Sequence, residues 1–213
     1  MNTEELITNL VEAPRAPGRA AVARRLGWAV AAGLAAALML LPLIWGNTGR
    51  IEAAILRPMF WAKVMLPASM TLAALWTAAR LSQPGVKVRR AWLALGLPVA
   101  LVAVAAALVL ANAPPGARAG LLLGHTWRTC SLYIAGLSMP ALAVLLHAMR
   151  GLAATRPVAA GRVAGLLAGA IGTLVYCLRC PETAVPFWAL WYLVGMAVPA
   201  LAGGLLGPRV LRW

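Results

Sequence analysis

Three cysteines are the residues of this chain best suited to do chemistry. Cys177 and Cys180 stand three residues apart in the stretch YCLRCPETAVPFW, and Cys130 lies fifty residues before Cys180. Arg179 beside them favours the thiolate, which is both the nucleophile and the metal-binding form of cysteine. If the segment is helical, Cys177 and Cys180 share one face, because residues three apart are neighbours on a helix.

Two chemistries fit these thiols. Cys130 can form a disulfide with Cys180 or with Cys177, provided that the two Cα atoms come within about 7 Å. Alternatively, two or three thiolates can hold a soft metal ion, with His125 as a further candidate ligand. Against both stands the common role of membrane cysteines as small and inert apolar residues.

The elements that must position the thiols are long apolar segments. The hydrophobic fraction is 62% and the charged fraction 11%, which is typical of an integral membrane protein. Six apolar runs are each long enough for a helix to cross a hydrocarbon core of about 30 Å. We therefore predict an all-α integral membrane protein with six transmembrane helices and short loops. The predicted spans are 27–45, 59–79, 91–111, 131–149, 158–178 and 184–206.

The net charge of +14 is distributed unevenly between the two sides that these spans define. Thirteen lysines and arginines lie in the termini and in the loops on the same side as the termini, whereas five lie in the opposite loops. The positive-inside rule then assigns both termini to the cytoplasm. The basicity thus predicts topology and contact with membrane lipids, not direct nucleic-acid binding. In a bacterial inner membrane all three thiols would face the oxidising periplasm.

Three regions follow from this topology. Residues 1–26 form a cytoplasmic N-terminal segment, 27–206 the transmembrane domain and 207–213 a cytoplasmic tail. Within the first, Met1–Ala13 has the pattern of a short amphipathic helix, followed by a linker with two prolines. Its apolar face either lies on the membrane or binds a cytoplasmic partner. That face consists of Leu6, Ile7, Leu10 and Val11.

Lys63 is the one charge well inside a predicted span. A lysine in the membrane is costly. It either extends toward the nearby external interface or makes a buried functional contact, and the sequence does not separate these alternatives. In the fifth span, Gly161, Gly165 and Gly169 form a small-xxx-small pattern that predicts close helix packing.

The scarcity of acidic residues excludes other classes. The chain has no aspartate and five glutamates, none of them within a predicted span, whereas ion-coupled transporters generally need intramembrane carboxylates. An enzyme remains as an alternative, namely a membrane thiol-disulfide oxidoreductase coupled to quinone. Such chemistry usually needs two communicating dithiol pairs, which three cysteines cannot supply.

Several short motifs, in order along nearly the whole chain, resemble the NrsF family of bacterial inner-membrane anti-sigma factors, negative regulators of an extracytoplasmic-function sigma factor, sigma F. They are TEELITNL at the start, FWAKVMLP at Phe60–Pro67, RLSQPG at Arg80–Gly85, TWRTC at Thr126–Cys130, CPETAVPFWALWYL at Cys180–Leu193 and the terminal GPRVLRW.

The resemblance implies a six-span sensor that is not an enzyme and needs no constitutive cofactor. Its N-terminal segment would hold the sigma factor through Leu6, Ile7, Leu10 and Val11. Two periplasmic-side cysteines, matching Cys130 and Cys180, would respond to heavy-metal or oxidative stress and would be the ligands of a transient heavy-metal ion. The chain departs from the family pattern in Arg179, where relatives often have histidine, and in the additional Cys177, which leaves a second candidate partner for Cys130.

Overall fold

The computed structural model describes residues 18–46, 55–83, 86, 88–152 and 156–211. In these residues the chain is helical and contains no strand. The amphipathic segment Met1–Ala13, with its apolar face, lies outside the described residues. The helices are α1 (Arg19–Trp45), α2 (Pro58–Leu81), α3 (Arg89–Asn112), α4 (Pro115–Leu123), α5 (Trp127–Met149), α6 (Pro157–Cys177) and α7 (Val185–Val210).

Six candidate spans are long and apolar enough to cross a membrane, and they correspond to α1, α2, α3, α5 preceded by α4, α6 and α7. This confirms the prediction of an all-α chain with six such segments. The observed helices start or end up to eight residues outside the predicted spans, most clearly at α1, which begins at Arg19 rather than Gly27. Hydropathy defines only the apolar part of a helix, whereas backbone hydrogen bonding continues into the polar residues beside it.

α4 is the element that hydropathy did not predict. It lies between the predicted spans 91–111 and 131–149, where we predicted a short loop. Pro115 occupies the first turn of α4, where its missing N–H is not needed, and Gly124 follows the last turn with a positive φ of 52°. The indole N–H of Trp191 on α7 donates to the carbonyl of Leu122, at 2.9 Å, and fixes α4 against the bundle.

The bundle is built around α6, which is largely buried and packs against α1, α2, α5 and α7. α3 is peripheral and contacts α2 and α7. At one end of the bundle α1, α3 and α6 finish and α2, α5 and α7 begin. We call this end the thiol end, because all three cysteines lie there.

Gly161, Gly165 and Gly169 of α6 face α7. A Cβ on Gly161 would overlap the carbonyl oxygen of Gly203, and a Cβ on Gly165 would overlap that of Pro199. Gly203 is likewise blocked by the carbonyl of Gly161. The small-xxx-small pattern therefore serves packing within the chain, and this glycine face is already occupied by α7.

Candidate functional site

The three cysteines come from three different parts of the fold and meet at the thiol end. Cys130 lies in the first turn of α5, Cys177 is the last residue of α6, and Cys180 lies in the segment that leads to α7. Cys130 lies near both Cys180 and Cys177. All three thiols are free. The convergence expected from the charge distribution is therefore present in the fold.

The thiols are more deeply buried than their expected position at a membrane boundary suggested. Cys130 and Cys177 are 0% exposed and Cys180 is 5% exposed. The expectation that Cys177 and Cys180 share a helix face also needs revision, because α6 ends at Cys177. Pro181 explains this end: the residue before a proline is disfavoured in the helical conformation, so the chain leaves the helix around Cys180.

Aromatic side chains enclose the cluster. The Cys177 thiol lies 3.8 Å from the hydroxyl of Tyr192, which accepts its weak hydrogen bond. Tyr176, one residue earlier on α6, is a neighbour of Cys130. The Tyr176 ring stacks on the Tyr133 ring with 6.2 Å between the ring centroids. The centroid of the Tyr133 ring in turn lies 4.5 Å from that of the Trp45 ring. The sequence did not predict that these residues line the site. Trp45, Tyr133 and Tyr176 share one feature with the cysteines, because they lie at the same ends of the predicted spans.

Lys63 makes a buried contact and does not extend to the interface. Its side chain is 4% exposed, and its ammonium donates a hydrogen bond of 2.6 Å to the backbone carbonyl of Cys180. The ammonium also lies 5.8 Å from the centroid of the Phe60 ring. Of the two alternatives for Lys63 that the sequence left open, the structure selects the buried contact.

Glu182 fastens the segment after Cys180 to the turn between α4 and α5. Its carboxylate accepts a hydrogen bond of 2.7 Å from the backbone N–H of His125. Gly124 makes this approach possible, since a Cβ there would lie 2.8 Å from the carboxylate carbon of Glu182 and 2.8 Å from the Phe187 ring. The acidic residue beside the cysteines therefore has a structural partner.

Replacing Gly124 by alanine should weaken the contact between Glu182 and the backbone of His125. The positive φ disfavours any L side chain, and the new methyl group would push Glu182 away. We expect a loss of stability of about 1–3 kcal/mol, the usual range for a side chain in such a conformation. Thermal unfolding of the purified protein in detergent measures it. Gly120→Ala is the matched control, because Gly120 lies in α4 with nothing within 4 Å of its Cβ position. Equal melting temperatures for the two variants would contradict this account.

In the described part of the chain, the cluster is a set of thiols and not a metal site of three or more ligands. Among the residues that the structure describes, no three histidine, cysteine or acidic side chains are grouped so as to hold a metal ion. His125, the further ligand suggested by the sequence, approaches the cluster region through its backbone N–H. Thiolates are the ligands that soft cations prefer, so the two-thiol set of Cys130 and Cys180 fits a soft ion better than a hard one.

The comparisons with known proteins agree on one family. The family model described as NrsF, negative regulator of sigma F, matches residues 10–213. The chain is 46% identical over 219 residues to the probable anti-sigma-F factor NrsF of Azospira oryzae. It is 38% identical over 221 residues to the anti-sigma-F factor NrsF of Caulobacter vibrioides. Both alignments cover the whole of both chains. No solved structure matches the chain.

Proposed function

The chain belongs to the NrsF family of negative regulators of sigma F, and on that premise we propose how it acts. It holds an extracytoplasmic-function sigma factor at the bacterial inner membrane and releases it when its thiols react. The named relatives are anti-sigma factors, which are regulators and not enzymes. This favours the regulator over the alternative of a quinone-coupled thiol oxidoreductase.

One observation carries the proposal: thiols from three parts of the fold meet in one buried cluster at one end of the bundle. A bundle that needed cysteines only as small apolar residues would have no reason to collect them all at one end. The excess of basic residues at the opposite end supports a cytoplasmic position for that end and a periplasmic one for the thiol end. The cluster would then meet oxidants and metals entering from outside the cell.

Cys130 and Cys180 are the reacting pair in this proposal. The motifs TWRTC and CPETAVPFWALWYL, which resemble the family, contain Cys130 and Cys180, whereas Cys177 lies outside them and contacts the hydroxyl of Tyr192. Either the two thiols lose two protons and two electrons to an oxidant and form a disulfide, or both bind one soft metal ion such as cadmium. Both reactions draw α5 toward the segment between α6 and α7. A signal can shift the bundle only by favouring one of its arrangements over another. The movement of α5 toward the segment between α6 and α7 would favour one arrangement in this way.

The cytoplasmic partner is proposed to be the sigma factor, bound by the apolar face of the N-terminal segment. Deleting residues 1–13 should abolish its co-purification with the protein from detergent-solubilised membranes. A single substitution gives a sharper test, because the apolar face is narrow. We expect Leu10→Glu to reduce retention of the sigma factor about tenfold or more, since it buries a charge in an apolar interface.

Asn9→Glu is the matched control, because it adds the same charge one residue earlier, outside the apolar face. It should retain the sigma factor as the natural chain does. Co-purification is quantified against the amount of membrane protein recovered, so that a change in expression does not imitate a change in binding. Full retention by the deleted chain would refute the docking role of the N-terminal segment.

A further inference from the structure

The segment between α6 and α7 contains backbone acceptors outside the helical hydrogen-bond pattern, and the carbonyl of Cys180 is one of them. The N–H groups of Arg179 and Cys180 still bond to the carbonyl of Tyr176, at 2.9 and 3.0 Å. The carbonyl of Cys180, in contrast, precedes the four irregular residues 181–184, and it therefore has no helical partner. A buried carbonyl without a partner is costly. Lys63 supplies that partner from a helix 117 positions away in the sequence.

Lys63 is well suited to form a stable hydrogen bond with this carbonyl. Its side chain is 4% exposed, so the bond is shielded from competing water. In the part of the chain that the structure describes, the one acidic residue is Glu182, whose carboxylate is engaged with the backbone of His125. The Cys180 carbonyl is the hydrogen-bond acceptor of the buried ammonium. Hydrogen bonds from charged donors are stronger than neutral ones.

The two candidate partners of Cys130 are held in different ways. Cys177 is held by the last turn of α6 and by its contact with Tyr192. Cys180 lies beyond the helix, and the bond from Lys63 on α2 holds its backbone. Loss of the Lys63 bond would leave the Cys180 backbone held by its N–H bond to Tyr176 alone, whereas Cys177 would stay in place at the end of α6.

We propose that Lys63 is the positioning residue that makes Cys180, rather than Cys177, the partner of Cys130. This inference rests on the proposed thiol function and adds the residue that sets its selectivity. Lys63 does not react. It holds the backbone of Cys180. It also connects the segment between α6 and α7 to α2, a helix that carries no cysteine.

The test is disulfide pairing in the full-length protein in membranes. Diamide oxidises two thiols to a disulfide and is itself reduced to the hydrazine by the two electrons and two protons. After the remaining thiols are blocked, peptide mapping by mass spectrometry gives the ratio of Cys130–Cys180 to Cys130–Cys177 disulfides. We expect Lys63→Met to lower this ratio about tenfold, as is reasonable for the loss of one charge-assisted hydrogen bond. Lys63→Arg, which can still donate, should restore most of it.

Met70→Ala is the control for general damage to α2, because Met70 is buried in the same helix at 2% exposure and is not among the residues placed in the thiol cluster. It should leave the ratio unchanged. An unchanged ratio in Lys63→Met, or an equal fall in Met70→Ala, would overturn the proposal. If Lys63→Met does not accumulate, Lys63→Leu replaces it, with the same expected fall, because leucine also lacks a hydrogen-bond donor. The sigma factor is absent from this measurement, so its outcome is separate from that of the co-purification test.

Discussion

Gly165→Leu should prevent α6 and α7 from assembling. The Cβ of any residue at this position would overlap the backbone carbonyl of Pro199, and backbone cannot move aside as the end of a flexible side chain can. The two helices would have to separate along their whole contact. Overpacking of a core typically costs about 1–3 kcal/mol and occasionally more, and we expect the upper end of that range or beyond. The measurements are the yield of monodisperse protein in detergent and its melting temperature.

Gly136→Leu is the matched control for this substitution. Gly136 lies on α5 at an exposed position, and nothing stands within 4 Å of its Cβ position. It carries the same change in side chain and hydrophobicity within another long apolar helix. Its melting temperature should stay close to that of the natural chain. Normal assembly of Gly165→Leu would mean that α6 and α7 do not pack through their glycines.

The α6–α7 contact shows what a pattern of small residues can predict. The spacing of Gly161, Gly165 and Gly169 predicted a close helix approach, and that prediction is confirmed. The identity of the neighbour was not available from the spacing, because a glycine face is complementary to any other small face. In hindsight Gly203 and Gly207 on the last helix were the signal, since they supply the second small face.

The spans themselves were predictable because hydropathy over about twenty residues is a strong signal. The helix α4 was not, because nine residues with three leucines at one end are too short for that signal. Its local signals were the proline at its start and Gly124 after its end. These mark helix boundaries but do not distinguish a short helix from a loop.

The site was predictable only in part. The distribution of charges predicted that Cys130, Cys177 and Cys180 lie at the same end of the bundle, without any information about contacts. Their burial, and the bond from Lys63 to the Cys180 carbonyl, depend on how α2 packs against α6. That packing joins residues more than a hundred positions apart, and no local spacing encodes it. Pro181 predicts that the helix ends by about Cys180, which is close to the observed end of α6 at Cys177.

Substitution of either reacting thiol should abolish release of the sigma factor under stress. Cys130→Ser and Cys180→Ser each leave one partner without its counterpart, so that neither a disulfide nor a two-thiolate metal site can form between them. The serine is nearly the same size and keeps the packing of a side chain that is at most 5% exposed. We expect the cadmium- or oxidant-induced release of the bound sigma factor to fall about tenfold or more in both variants, with retention in untreated membranes preserved. Co-purification before and after treatment measures both quantities.

Cys177→Ser distinguishes the proposed pair from its alternative, because the same isosteric change is made in the same cluster. If Cys180 is the partner of Cys130, this variant should still release the sigma factor, since Cys177 is held by the end of α6 and by Tyr192. Loss of release in Cys177→Ser together with normal release in Cys180→Ser would assign the pair to Cys130 and Cys177. Normal release in all three single variants would remove the thiols from the mechanism, and the cluster would then serve only the packing of the thiol end.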